Sequence, residues 1–133
     1  MMPETILQQG KILIVDDEKV NVRLLEVILH QAGYAHVQST IDAREALPLF
    51  AEFEPDLVLL DLHMPHLDGF MVMEQLKTRL EEGVYLPILV LTADTTAQTK
   101  RKALAGGAKD FLTKPLDETE VLLRINNLLH TRF

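Results

Sequence analysis

At 133 residues with 47% hydrophobic content, the chain is long enough for one domain around one buried core. A formal charge of −7 repels nucleic acid and anionic lipid, and the absence of cysteine excludes a disulfide framework and a thiolate zinc site. No stretch approaches the ~18 apolar residues of a membrane span, and Met1 to Gly10 lacks the pattern of a signal peptide, so a cytoplasmic protein is expected.

Residues 1–10 read as a flexible leader: their only paired apolar residues are Ile6 and Leu7, and they end in Gln8-Gln9-Gly10. The domain then runs over residues 11–133. Its first strand is Ile12-Leu13-Ile14-Val15, a run too continuous for a one-sided surface strand. A helix follows with Val20, Leu24, Val27 and Ile28 on one face, stopped by Gly33. His36 to Ser39 forms a weaker second strand. Asp42 and Glu45 have capping-box spacing for the second helix, where Pro48 predicts a kink or a late start.

The third strand is Leu57-Val58-Leu59-Leu60; Asp68 is placed to cap the third helix, which carries Phe70, Met73, Leu76 and Leu80 on one face. Ile88-Leu89-Val90-Leu91 is the fourth strand, and Asp110 to Leu112, after Gly106-Gly107, the fifth. Residues 117–133 make the final helix. Strand and helix alternate five times, which specifies an α/β fold of (βα)5 type: a doubly wound, five-stranded parallel sheet with helices on both faces and ligands at the carboxyl ends of the strands.

The chemistry-bearing residues fall at those ends. Asp16-Asp17 closes the first strand, Asp61 the third and Thr92 the fourth, while Lys114 follows the fifth. Three carboxylates crowded into one crevice resist joint ionisation unless a cation lies among them. Oxygen ligands in an incomplete cage suit Mg²⁺, with Mn²⁺ an acceptable substitute. Beside such a cation a carboxylate can attack phosphorus, Lys114 can neutralise charge on the phosphoryl oxygens, and the Thr92 hydroxyl can hydrogen-bond one of them.

Val15-Asp16-Asp17, Leu60-Asp61-Leu62-His63-Met64-Pro65, Leu91-Thr92-Ala93 and Phe111-Leu112-Thr113-Lys114-Pro115 together resemble the receiver domains of bacterial two-component response regulators, of the chemotaxis-regulator type, over roughly Lys11 to Leu129. The resemblance implies a flavodoxin-like strand order 2-1-3-4-5. It also implies Asp61 as phospho-acceptor from a histidine kinase or phosphotransfer protein, and Asp16, Asp17, Asp61 and the His63 carbonyl as Mg²⁺ ligands. Thr92 and Phe111 become switch residues, Lys114 the phosphoryl-binding cation, and the Lys114–Pro115 peptide cis. His63 and Asp94 would flank the path of hydrolytic water and set the phosphate lifetime. The signal would leave through the fourth helix, fifth strand and fifth helix toward an output domain or effector. Such a domain catalyses only its own phosphorylation and slow dephosphorylation, and it is not an enzyme in the usual sense.

Other readings compete. His63 and His66 are spaced like metal ligands, but Pro65 between them breaks a common helical face. Phe111 alone reads as core. In the final helix Val121, Leu122, Ile125, Leu128, Leu129 and Phe133 span an arc of roughly 140°, wider than one core stripe requires. Either the helix is generously buried, or Leu122, Ile125 and Leu129 form an a/d seam toward a second subunit or an output domain. The run from Glu120 to Phe133 loosely resembles receivers that precede cyclic-dinucleotide phosphodiesterase outputs. An aspartate-nucleophile phosphatase would use similar groups, but its nucleophile ends the first strand in an Asp-x-Asp pattern. A flavin-binding module would need a phosphate cradle where Asp16-Asp17-Glu18 stands.

Overall fold

The computed structural model describes residues 8–80 and 85–132. Five strands, β1 (Lys11–Val15), β2 (His36–Thr40), β3 (Leu57–Asp61), β4 (Ile88–Thr92) and β5 (Asp110–Thr113), form one parallel sheet in the order β2-β1-β3-β4-β5. Five helices connect and follow them: α1 (Lys19–Gln31), α2 (Ala46–Phe53), α3 (Gly69–Arg79), α4 (Ala97–Ala105) and α5 (Glu118–Arg132). The strand assignments hold to within a residue or two, because continuous apolar runs in a short segment fit only a strand covered on both faces.

Side chains alternate across the sheet, and this alternation builds two cores. Ile12, Ile14, Leu57, Leu59, Leu89 and Leu91 face α1 and α5, meeting Leu25, Leu29, Val121 and Ile125. Leu13, Val15, Val58, Leu60, Ile88 and Val90 face the other way, onto α2, α3 and α4. Residues on both faces of β1 and β3 are fully buried, so a polar residue at the end of either strand needs a local partner.

Several expectations change at this level. The buried face of α1 is Val22, Leu25, Ile28 and Leu29, whereas Val20 is 77% and Leu24 is 40% exposed. Both sets have helical spacing, and only docking on the sheet chooses between them. Asp42 and Glu45 close no capping box: Asp42 accepts from the Arg44 N–H and caps a short 3₁₀ turn (Ala43–Glu45), while Glu45 accepts from the Thr40 hydroxyl. The late start expected from Pro48 is observed, since α2 begins at Ala46 and Pro48 lies in its first turn, where an N–H has no partner to lose.

Two further corrections concern the chain's outer elements. Gln8 is not frayed: its side-chain amide donates to the Ala32 carbonyl at 2.7 Å and lies against Gly33, whose φ of +95° ends α1. On α5, Ile125 and Leu129 are fully buried in this chain's own core, so the seam proposed for Leu122, Ile125 and Leu129 is not a free surface. The generously buried helix is what the packing supports, and the Tyr34 hydroxyl, donating to Asn126 Oδ1, ties α5 to the end of α1. Phe133, and residues 1–7 of the leader, lie outside the described residues.

Candidate functional site

Parallel register sets up the crevice. Val15 is paired with Leu60, so the next residues along, Asp16 and Asp61, emerge side by side at the carboxyl edge. Thr92 is paired with Thr113, and the Lys114 N–H donates to the Thr92 carbonyl at 2.9 Å, which carries the lysine to the same edge. Asp16, Asp61 and Thr92 are almost wholly buried.

The Lys114 ammonium lies 3.2 Å from Asp16 Oδ2, 3.3 Å from Asp61 Oδ2 and 3.5 Å from Glu18 Oε1. Burial alone would lower the pKa of Lys114, but the charges of Asp61 and Asp16 outweigh it and raise it, so the ammonium stays charged. The Asp61 pKa is raised too, but for a carboxyl this favours the neutral form. Burial first, then the charge of Asp16 and the neighbouring Asp17 carboxyl, push it up to about 7, against the pull of Lys114 and of the His63 N–H that donates to Asp61 Oδ1 at 3.2 Å.

One ammonium does not satisfy these carboxylates. Asp16 Oδ2 has the shared Lys114 ammonium and no further hydrogen-bond partner, and Asp17 Oδ1 is buried with no hydrogen-bond partner. Oxygens of Asp16, Asp17 and Glu18 lie within 4.8 Å of one another. Oxygen-only donors that share one ammonium, running from buried Asp16 to exposed Glu18, make a site of excess negative charge that fits a hard divalent cation. Glu18 was not foreseen as a member of this cluster; its only signal in the sequence is its place after Asp16-Asp17.

The remaining residues are distributed around this centre. The Thr92 hydroxyl accepts from the Asp94 N–H at 2.9 Å and donates to the Asp94 carbonyl at 3.4 Å, both within the β4–α4 loop. Asp94 is tied to α4: Oδ2 accepts from the Thr99 hydroxyl at 2.7 Å and Oδ1 from the Thr96 N–H at 3.0 Å, bonds that hold its carboxyl down at about 2, with His63 adding a smaller pull. Phe111 is half-buried against the second core. The Lys114–Pro115 peptide is cis. His63 is exposed beside the acceptor, and His66, with φ of +70°, lies by Asp42, Arg44 and Pro65 in a separate surface hollow.

A second feature escaped sequence reasoning. A Cβ at Gly69 would stand 2.4 Å from the Asp61 carbonyl oxygen and 2.7 Å from Leu62 Cα, and the Gly69 N–H donates to the Leu62 carbonyl at 2.9 Å. Only glycine lets α3, capped by Asp68 through the Met71 N–H, begin directly against the acceptor's backbone.

The family model for the response regulator receiver domain matches residues 12–126. The chain belongs to this family. It is the receiver domain of a two-component response regulator, and its relatives agree. It is 40% identical over 119 residues to the DNA-binding dual master transcriptional regulator RpaA of Synechocystis, a match covering 90% of this chain and 48% of RpaA. It is 41% identical to the response regulator PleD of Caulobacter vibrioides, covering 93% of this chain and 26% of PleD. The receiver thus spans about half of one relative and a quarter of the other. Among solved structures, chemotaxis protein CheY4 of Vibrio cholerae superposes with a TM-score of 0.84 at 29% identity, covering 90% of this chain and 98% of that one. A response regulator/GGDEF domain protein superposes with a TM-score of 0.86 at 27% identity, covering 97% of this chain and 52% of that one. Among the described residues no helix is long and apolar enough to cross a membrane.

Proposed function

We propose that this receiver is cytoplasmic and takes a phosphoryl group onto Asp61 from the phosphohistidine of a histidine kinase or phosphotransfer protein. The observation that carries the reading is the buried ion pair of Asp61 with Lys114 at 3.3 Å, beside the Asp16 carboxylate that shares the same ammonium and the buried, unpartnered Asp17 Oδ1. An Asp61 oxygen attacks phosphorus, an acyl phosphate bond forms, and the P–N bond of the donor breaks with its electron pair returning to the donor imidazole. Lys114 balances the charge on the transferred group. Mg²⁺ would be held by the Asp16, Asp17 and Asp61 carboxylates and the His63 carbonyl oxygen, with Glu18 at the rim, and when bound it supplies positive charge that lets these anions share the crevice with a phosphoryl group.

Val20 and Leu24, exposed on the helix that follows Asp16-Asp17, offer the donor an apolar foothold next to the acceptor. The phosphoryl group then draws Thr92 and Phe111 into a second arrangement, read by an output domain, an effector or a second copy of the chain through α4, β5 and α5. His63 and Asp94 border the path of hydrolytic water and set the lifetime of the acyl phosphate. Thr96 and Thr99 each take one acceptor site on the Asp94 carboxylate, and each oxygen keeps a lone pair for water. The domain turns over no separate substrate.

Incubation with Mg²⁺ and acetyl phosphate, read by intact mass, tests this directly. One added phosphoryl group in the wild type and none in Asp61→Asn is the expected result. An adduct that persists in Asp61→Asn overturns the assignment of the acceptor.

A further inference from the structure

We infer that Asp94 and Thr99 are positioning residues that latch the Thr92 hydroxyl in its resting place and so oppose the switch, an inference that rests on the receiver reading above. Thr92 Oγ1 accepts from the N–H of Asp94, two residues ahead in the same chain, at 2.9 Å, and its hydroxyl donates to the Asp94 carbonyl at 3.4 Å. The phospho-acceptor stands on the neighbouring strand β3, where Asp61 pairs with Leu91, and the Thr92 hydroxyl bonds within its own loop. Turning the hydroxyl toward a phosphoryl oxygen on Asp61 withdraws it from the Asp94 N–H, and a part-buried amide is left to find a new partner.

The loop could follow Thr92 and keep that bond, were it free to move. It is anchored instead. The Asp94 carboxylate is gripped from both sides, by the Thr96 N–H at 3.0 Å and by the Thr99 hydroxyl at 2.7 Å. Thr96 is the N-cap of α4, and its hydroxyl accepts from the Thr99 N–H at 3.3 Å. The Thr99 side chain therefore couples the first turn of a helix to the loop that holds the switch hydroxyl. Removing its hydroxyl keeps the Thr99 N–H on the N-cap, while it takes away the bond to Asp94 Oδ2 and the bond it accepts from the Thr96 hydroxyl at 3.2 Å, so the loop loses one of its two anchors.

The experiment compares wild type, Thr99→Ala and Thr99→Ser; alanine is the best helix former, so α4 is retained. First, side-chain couplings of Thr92 are measured by NMR in the absence of metal and phosphoryl donor. A single χ1 rotamer in wild type and Thr99→Ser, with rotamer averaging in Thr99→Ala, supports the latch; one unchanged rotamer in all three overturns it. Second, beryllofluoride is titrated in the presence of Mg²⁺. Binding to Thr99→Ala about three- to tenfold tighter than to wild type, the worth of one hydrogen bond, with Thr99→Ser restored to the wild-type value, supports the latch. Equal or weaker binding to Thr99→Ala overturns it, since a merely structural loss would not improve affinity. Failure of the wild type to take up beryllofluoride would instead count against the receiver reading, while the couplings still report on the latch.

Discussion

Lys114 and Asp61 form an ion pair of 3.3 Å in a crevice where Asp61 is 2% exposed. Replacing Lys114 by methionine keeps the apolar stem and removes the charge, leaving Asp61 and Asp16 facing each other without it. By analogy with the loss of one charge-stabilising donor, phosphorylation by acetyl phosphate is expected to slow by about 10²-fold, measured as the rate of adduct formation by intact mass. The Asp61 carboxyl, already at about 7, should titrate higher still in this variant.

The raised pKa of Asp61 also sets a pH dependence for the metal-free protein. Its folded value, about 7, lies above the ordinary carboxylate value of 3.8. Between those values the folded state binds more protons than the unfolded chain, so this group's contribution to stability falls as pH rises from 4 to about 7. Mg²⁺ held as proposed would oppose this trend by binding the ionised form. Thermal melts should show a larger Mg²⁺-dependent rise in Tm at pH 8 than at pH 5.5, and Asp61→Asn should flatten the metal-free slope. A Tm gain from Mg²⁺ that is independent of pH would contradict the assignment.

Gly69→Ala should be costly out of proportion to one methyl group. Its Cβ would stand 2.4 Å from the Asp61 carbonyl oxygen, a backbone atom that cannot swing aside. Overpacking of this kind costs about 1–3 kcal/mol, readable as a fall in the urea midpoint. The displaced β3 terminus should slow acetyl phosphate labelling as well. Gly106→Ala is the comparison, because there the nearest atom is the flexible Met73 methyl at 3.2 Å.

Adjacent leucines on α1 separate packing from display. Leu25 is fully buried and Leu24 is 40% exposed. Leu25→Ala should lose about 2–5 kcal/mol, whereas Leu24→Ala should change stability by about 0.5 kcal/mol or less, both from equilibrium denaturation. The reverse order is expected for phosphotransfer: Leu24→Ala should slow transfer from a phosphohistidine donor while leaving labelling by acetyl phosphate intact.

What the chain determines by itself is the order of its elements and the identity of its reactive groups. Apolar runs such as Leu57 to Leu60 are legible because a strand buried on both faces leaves no polar position, and Asp61 is conspicuous because it breaks such a run at its end. Asp68 and Gly33 are legible for a similar reason, since a helix cap and a helix stop are local events. The tertiary structure decided everything that depends on a partner distant in sequence. Val20 and Leu24 share helical spacing with the core, and only the angle at which α1 lies on the sheet exposes them. Ile125 and Leu129 could serve a seam or a core until the sheet claims them. Glu18 is marked in the sequence only by its place after Asp16-Asp17 and Gly69 by nothing: Lys114 reaches the first from β5, and α3 starts against the Asp61 backbone at the second. Periodicity and capping act over a few residues, whereas burial and electrostatic contact are set by whatever the folded chain brings alongside.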